Sequence, residues 1–344
     1  MNESHQQSAA TMPNQTSHNH PECPSSSHSP NLIPTLYFLM FPIALLLNSV
    51  AAWVSVHLKA TSTFVVYLKN LVAADLIMTL TLPIEAANEL AGKSTTLYAL
   101  TCRYFSVIFY STLSTCIAFL GFIGLDRFFK IMLPRSRLFG QNLIFSKVTS
   151  ALIWIMMFGC TGLPNVIFTN QPVTNLTAIT SCMHLKGPVG LLFHEKTVLF
   201  ANVFFWVVSV VIVVCYICIA NKVIQSFRNS GSINNQGNQK VKLRVFMVII
   251  VFFVSYGPYH IVRIPYTFIQ LSDSSDDCSF EAHKFAKELS LWLATTNICM
   301  DPLLYVFLCR EFKEKLMLMT EKVSIYLKIV PANKEGSRSP QCKL

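Results

Sequence analysis

The chain has 344 residues, of which 52% belong to the AVILMFWYC set and only 13% are charged. A soluble domain carries about 25% charged residues, so there is too little polar surface here for a water-exposed globule. Net charge is +10, from 27 Lys and Arg against 17 Asp and Glu, and 12 glycines with 16 prolines exclude collagen-like and low-complexity polymers.

Residues 1–31 are rich in Ser, His and Pro. They have no basic segment followed by an apolar one, so no cleavable signal peptide is expected and the first span takes that role. Long stretches without Asp, Glu, Lys or Arg follow: 32–68 apart from Lys59, then 104–125, 148–185, 197–221 and 245–262. About 20 apolar helical residues cross a hydrocarbon core. This predicts an all-α membrane protein, a bundle over 32–308 with helices at 32–58, 65–90, 99–132, 144–168, 196–227, 240–270 and 283–308. In the remaining tail, 309–344, Phe312, Leu316 and Leu318 alternate with Lys313, Glu314 and Lys315. That is the pattern of a short amphipathic helix on a membrane surface, with solvated chain after Val330.

Seven spans place the termini on opposite sides. Residues 1–58 hold no Lys or Arg, and 20 of the 27 basic residues fall on one set of connections: Lys59, Lys69, the Arg127–Lys147 and Lys222–Arg244 loops, and the tail from Arg310. Positive charge stays cytoplasmic, which predicts an extracellular N-terminus and a cytoplasmic C-terminus in a multi-pass plasma-membrane protein. Topology thus accounts for the basic balance without a nucleic-acid partner. The sequons at Asn2, Asn14 and Asn175 all fall on the predicted outer side.

Cys23, Cys102, Cys182 and Cys278 also lie outside, an even number in an oxidising compartment. Four cysteines allow three pairings. One of them joins Cys102 to Cys182, tying the third helix to the second outer loop, and Cys23 to Cys278, tying the N-terminal segment to the third outer loop. Cys116, Cys160, Cys215, Cys218 and Cys299 fall within spans and read as small core residues.

Hydrocarbon does not tolerate polar side chains without a role. Asn48, Asp75, Asp126-Arg127, Asn297 and Asp301-Pro302-x-x-Tyr305 are such residues. With Trp154, Pro164, Tyr216 and Pro258 they run in order through seven spans, and at this point the sequence resembles the rhodopsin-like (class A) G-protein-coupled receptors. Longer strings narrow the likeness: Phe64–Asn70, Ser106–Tyr110, Leu163-Pro164-Asn165, His260–Thr267 and Lys287-Glu288. These look like the purinergic receptors for nucleotides, in the subgroup that answers ADP or UDP-sugars. Leu185–Pro188, Asp126–Ile131 and Ala294–Pro302 lean toward its ADP-type members. The resemblance implies an extracellular nucleotide as ligand, a heterotrimeric G protein of the inhibitory class as partner, membrane lipid around the bundle, and no cofactor.

Spacing supplies a candidate ligand site independently. Arg263 is 19 residues beyond Arg244, about 28 Å of helix, the thickness of the core. His260, Arg263 and Thr267 share one face, which Tyr266 borders. Lys287 precedes Pro302 by 15 residues, about 22 Å, and so reaches the same end. Two cations on adjacent helices make an anion site, the guanidinium gripping as a fork and the ammonium acting as a point charge. Tyr110 offers a ring for a base; Lys186, His194 and Asn165 are further contacts. Arg263 and Lys287 alternatively snorkel to the interface, or pair with Glu288, Glu281 or Glu85. Glu85, Ser114, Val198 and Ser181 depart from the subgroup's usual residues. Glu85 sets a carboxylate at the pocket mouth in place of a basic residue.

At the opposite end the resemblance implies that Asp126 holds Arg127 at rest and that Arg127 meets the G protein on activation. Asp75, Asn48, Asn297 and Asp301 can form one polar network, and sodium is the family's usual occupant beside Asp75. Cys116 stands where a hydroxyl ligand is common. No HExxH or GxSxG motif marks an enzyme. A transporter would need a continuous polar path, whereas the charges here cluster at two separated depths. Within receptors, a UDP-sugar or a lysophospholipid is the alternative ligand.

Overall fold

A computed structural model describes residues 31–90, 94–133, 142–172, 182–229, 235–271 and 277–335. All regular structure in them is helical: α1 (Leu32–His57), α2 (Thr63–Glu89), α3 (Thr95–Met132), α4 (Leu143–Phe168), α5 (Pro188–Asn229) and α6 (Asn235–Leu271). The seventh helix, α7, runs as Asp277–Thr295 and Asn297–Leu308 with a break at Thr296, and α8 is Arg310–Glu335. A short 3-10 turn, Cys182–Leu185, precedes α5. The first six helices are each long and apolar enough to cross a membrane, and α8 leaves α7 at 96°.

The starts follow side-chain chemistry. Ser62 accepts a hydrogen bond from the Val65 backbone N–H, Ser94 from Leu97, and Asn142 from Ile144 and Phe145, each relieving an orphan donor of a helix's first turn. Pro188 opens α5, where a missing N–H costs nothing. This helix begins eight residues before the predicted 196, because charged Glu195 and Lys196 end the apolar run without ending the helix. The terminal helix is longer than expected, and Leu318 is exposed while Phe312 and Met319 are buried.

Helices α2 and α3 form the centre, with 67% of their most apolar windows buried, against 33% for α1 and 28% for α4. Facing outward are Leu39, Leu46, Val203, Val207, Val210, Ile261 and Phe268, as a bundle solvated by lipid requires. Two apolar clusters lie inside: one around Phe109, Phe205, Phe252 and Tyr256, the other around Leu68, Leu71, Phe119 and Tyr305, which Phe312 of α8 closes. Glycine permits two close approaches. A Cβ on Gly121 of α3 would lie 2.8 Å from Val208 Cγ1 of α5, and one on Gly190 of α5 would lie 2.9 Å from the Phe168 carbonyl oxygen.

Polar ties stitch the centre. Pro302 has no N–H to give to the carbonyl of Ile298, four residues earlier. Asn48 of α1 donates to that carbonyl at 2.9 Å and to Thr79 of α2 at 3.4 Å. Trp154 donates to Asn70 at 2.9 Å, joining α4 to α2.

Candidate ligand cavity and the buried polar core

At the end marked by Cys102, side chains from all seven helices α1 to α7 line a cavity of about 440 Å³. The Cys102–Cys182 disulfide, with Cα atoms 5.4 Å apart, holds the Cys182–Leu185 turn over α3. Cys23 and the Cys278 side chain lie outside the described residues, as do Asn2, Asn14 and Asn175. Tyr110, Asn165, Lys186, His194, His260, Arg263, Tyr266 and Lys287, predicted from sequence, all line this one cavity.

Tyr110 is its platform, and two cations lie against its ring. Arg263 Cζ sits 4.6 Å above the Tyr110 ring centroid and 5.2 Å from that of Tyr259; Lys287 Nζ lies 6.0 Å from Tyr110 and 5.7 Å from Tyr266. Aromatic faces attract cations at such distances. Among the alternatives for Lys287, its neighbour Glu288 is realised, at 2.6 Å. Arg263 makes no ion pair among the described residues. Lys186 donates to Asn165 Oδ1 at 2.8 Å and lies 3.4 Å from His194 Nδ1. An ammonium only donates, so Nδ1 is the accepting nitrogen there. Burial, helped by the nearby charge of Arg263, pulls the Lys186 ammonium down to about 8. Two cations without a carboxylate partner, Arg263 and Lys186, therefore converge on the cavity; Lys287 arrives already paired.

His260 stacks on Phe205 at 4.0 Å and 3°, and its ring nitrogens are buried without hydrogen-bond partners. Its backbone carbonyl accepts from Asn202 at 2.6 Å. The Thr267 hydroxyl donates to the Arg263 carbonyl, and that of Ser114 to the Tyr110 carbonyl. Sequence reasoning missed Ser106, Asn202 and Tyr259 as lining residues. Two were accessible: Ser106 and Tyr259 each stand one helical turn from a residue already chosen, Tyr110 and Arg263.

At the other end of α3, Asp126 is engaged by Lys130 at 2.7 Å and by the Thr63 hydroxyl. Arg127, by contrast, lies with Cζ 4.6 Å over the Phe64 ring. The Asp126 carboxylate is thus taken up by Lys130 and Thr63. Adjacent helical residues point about 100° apart, while Lys130, four residues on, stands directly over Asp126.

The predicted network around Asp75 is divided. Tyr305 donates to Asp75 Oδ2 at 2.7 Å and the Cys116 thiol to Oδ1 at 3.4 Å, whereas Asn297 donates to Asp301 Oδ2 at 2.7 Å. Asp75 and Asp301 are both fully buried. The Asp75 residues do not fit sodium: both oxygens hold donors, and Cys116 offers sulfur where a hard cation takes oxygen. No group of three or more His, Cys, Asp or Glu suited to a metal occurs among the described residues.

A family model described as 7 transmembrane receptor (rhodopsin family) matches residues 47–305. The human type-13 purinoceptor is 42% identical over 299 residues, 86% of this chain and 84% of the relative. The type-14 purinoceptor of Bos taurus is 36% identical over 307 residues, 89% and 90% respectively. G-protein coupled receptor 87 of Mus musculus is 35% identical over 288 residues, 83% and 79%. The chain belongs to the rhodopsin family of seven-transmembrane receptors, within its purinoceptor group, a family of receptors and not of enzymes.

Proposed function

We propose that this receptor answers an extracellular nucleotide, ADP first among them, and passes the signal to an inhibitory-class heterotrimeric G protein. In this reading the N-terminus is extracellular and the C-terminus cytoplasmic, which the distribution of Lys and Arg supports. One observation carries the reading: Arg263 and Lys186 point into a single cavity with no carboxylate partner of their own. Burying a cation without a counter-charge is costly, and an anionic ligand supplies the missing charge. Held over Tyr110, the guanidinium keeps N–H donors for a phosphate, with Lys186 as a point charge beside it. Phosphate bound here sits among helices α3, α5, α6 and α7, and a ligand that prefers one packing of them shifts the bundle toward it. The relatives named purinoceptors support the same ligand class.

Ligand-stimulated GTP exchange on added G protein, in membranes containing the receptor, tests this. ADP, UDP, UDP-glucose and a lysophospholipid are compared at matched receptor density. The expected result is a saturable response to ADP at the lowest concentration of the four. A response to the lysophospholipid alone would replace the nucleotide reading.

A further inference from the structure

Glu85 is a carboxylate on the wall of a cavity whose unpartnered charges are positive. Its Oε2 accepts from the Ser106 hydroxyl at 3.3 Å, and its Oε1 is buried without a donor. Ser106 precedes Tyr110, whose ring carries Arg263 and Lys287, by one helical turn on α3, about 6 Å of rise, so Glu85 is bound one turn along α3 from that residue. Lys287 makes its ion pair with Glu288 rather than with Glu85. A buried acceptor with no donor costs free energy until one arrives.

We propose that Glu85 forms an acidic subsite that takes an N–H donor from the ligand, and so selects a nucleotide whose base carries an exocyclic amino group. This rests on the nucleotide reading above and adds the base to it. With the phosphates on Arg263 and Lys186, the base extends along α3 toward Glu85. Adenine offers an amino group there; the corresponding edge of uracil presents a carbonyl oxygen, which a carboxylate repels. The cavity is two-signed, and its ligand is an anion at one end and a donor at the other.

The test measures GTP-exchange curves for ADP and UDP on wild type, Glu85→Gln and Glu85→Lys, each at matched surface expression. Wild type is expected to prefer ADP. Glu85→Gln, which keeps the shape and removes the charge, should lower the ADP-to-UDP potency ratio about 10-fold, the size of one charge-assisted hydrogen bond. Glu85→Lys should lower the ratio further by improving the response to UDP. An unchanged ratio in both variants overturns the inference, as does an equal loss for both nucleotides. Silence of the wild type to both nucleotides overturns the nucleotide reading itself, and the inference with it.

Discussion

Lys186 hydrogen-bonds to Asn165 and sits among other cations, and burial with the charge of Arg263 brings its ammonium down to about 8. A bound phosphate would raise that value again, so binding near and above pH 8 must take up a proton. Affinity for an anionic ligand then falls as pH rises from 7 through 8, by up to about tenfold per unit. Concentration–response curves at pH 7, 8 and 9 should show that fall in wild type. In Lys186→Arg it should flatten, because a guanidinium stays charged throughout; equal slopes would remove Lys186 from the site. At this scale the sequence was a good guide to membership of the cavity and a poor one to pairing. Periodicity put Arg263, His260 and Thr267 on one face, but the capture of Lys287 by Glu288, the use of the Tyr110 ring by cations, and the claim of Lys130 on Asp126 are choices among neighbours. Several partners lie within reach of a long side chain, and only packing decides among them.

Among the elements, the helices were legible because lipid leaves the backbone no other way to satisfy its hydrogen bonds; apolar runs located α1 to α4 within a few residues. The start of α5 was not legible, since helix continues past the hydrocarbon where no apolar signal marks it. Its first turn is also where α5 meets α4. A methyl on Gly190 would meet the Phe168 carbonyl at 2.9 Å, and backbone does not yield as a side-chain tip does. Gly190→Ala is therefore expected to destabilise the receptor by about 1–3 kcal/mol, the usual cost of overpacking, seen as a lower thermal unfolding temperature of the purified protein. An unfolding temperature equal to wild type would show that the α4–α5 contact is looser than described. The division of the Asp75 region was equally hidden: Tyr305 reaches Asp75 across 230 positions of sequence, a distance no local pattern reports.

For the whole molecule, the bundle sets two polar regions into an apolar frame: a cavity at the Cys102 end, and the Asp75, Asp126 and Asp301 sites deeper along the same helices. Helix α3 joins them, carrying Tyr110 in the cavity, Cys116 on Asp75 and Asp126 at its far end. A ligand that draws Arg263 of α6 toward its own charge acts on a helix packed against α5 and α7 through Phe205, Phe252 and Leu291. The claim on which this depends is that Arg263 binds the anion. Equilibrium binding of labelled ADP to receptor purified into lipid bilayers, in wild type and Arg263→Ala, tests it most directly. Wild type should bind saturably, and the variant should bind about 10–150-fold more weakly, the loss of about 1.5–3 kcal/mol from a charge-assisted contact, with its unfolding temperature preserved. Saturable binding of equal affinity in the two proteins would contradict the account.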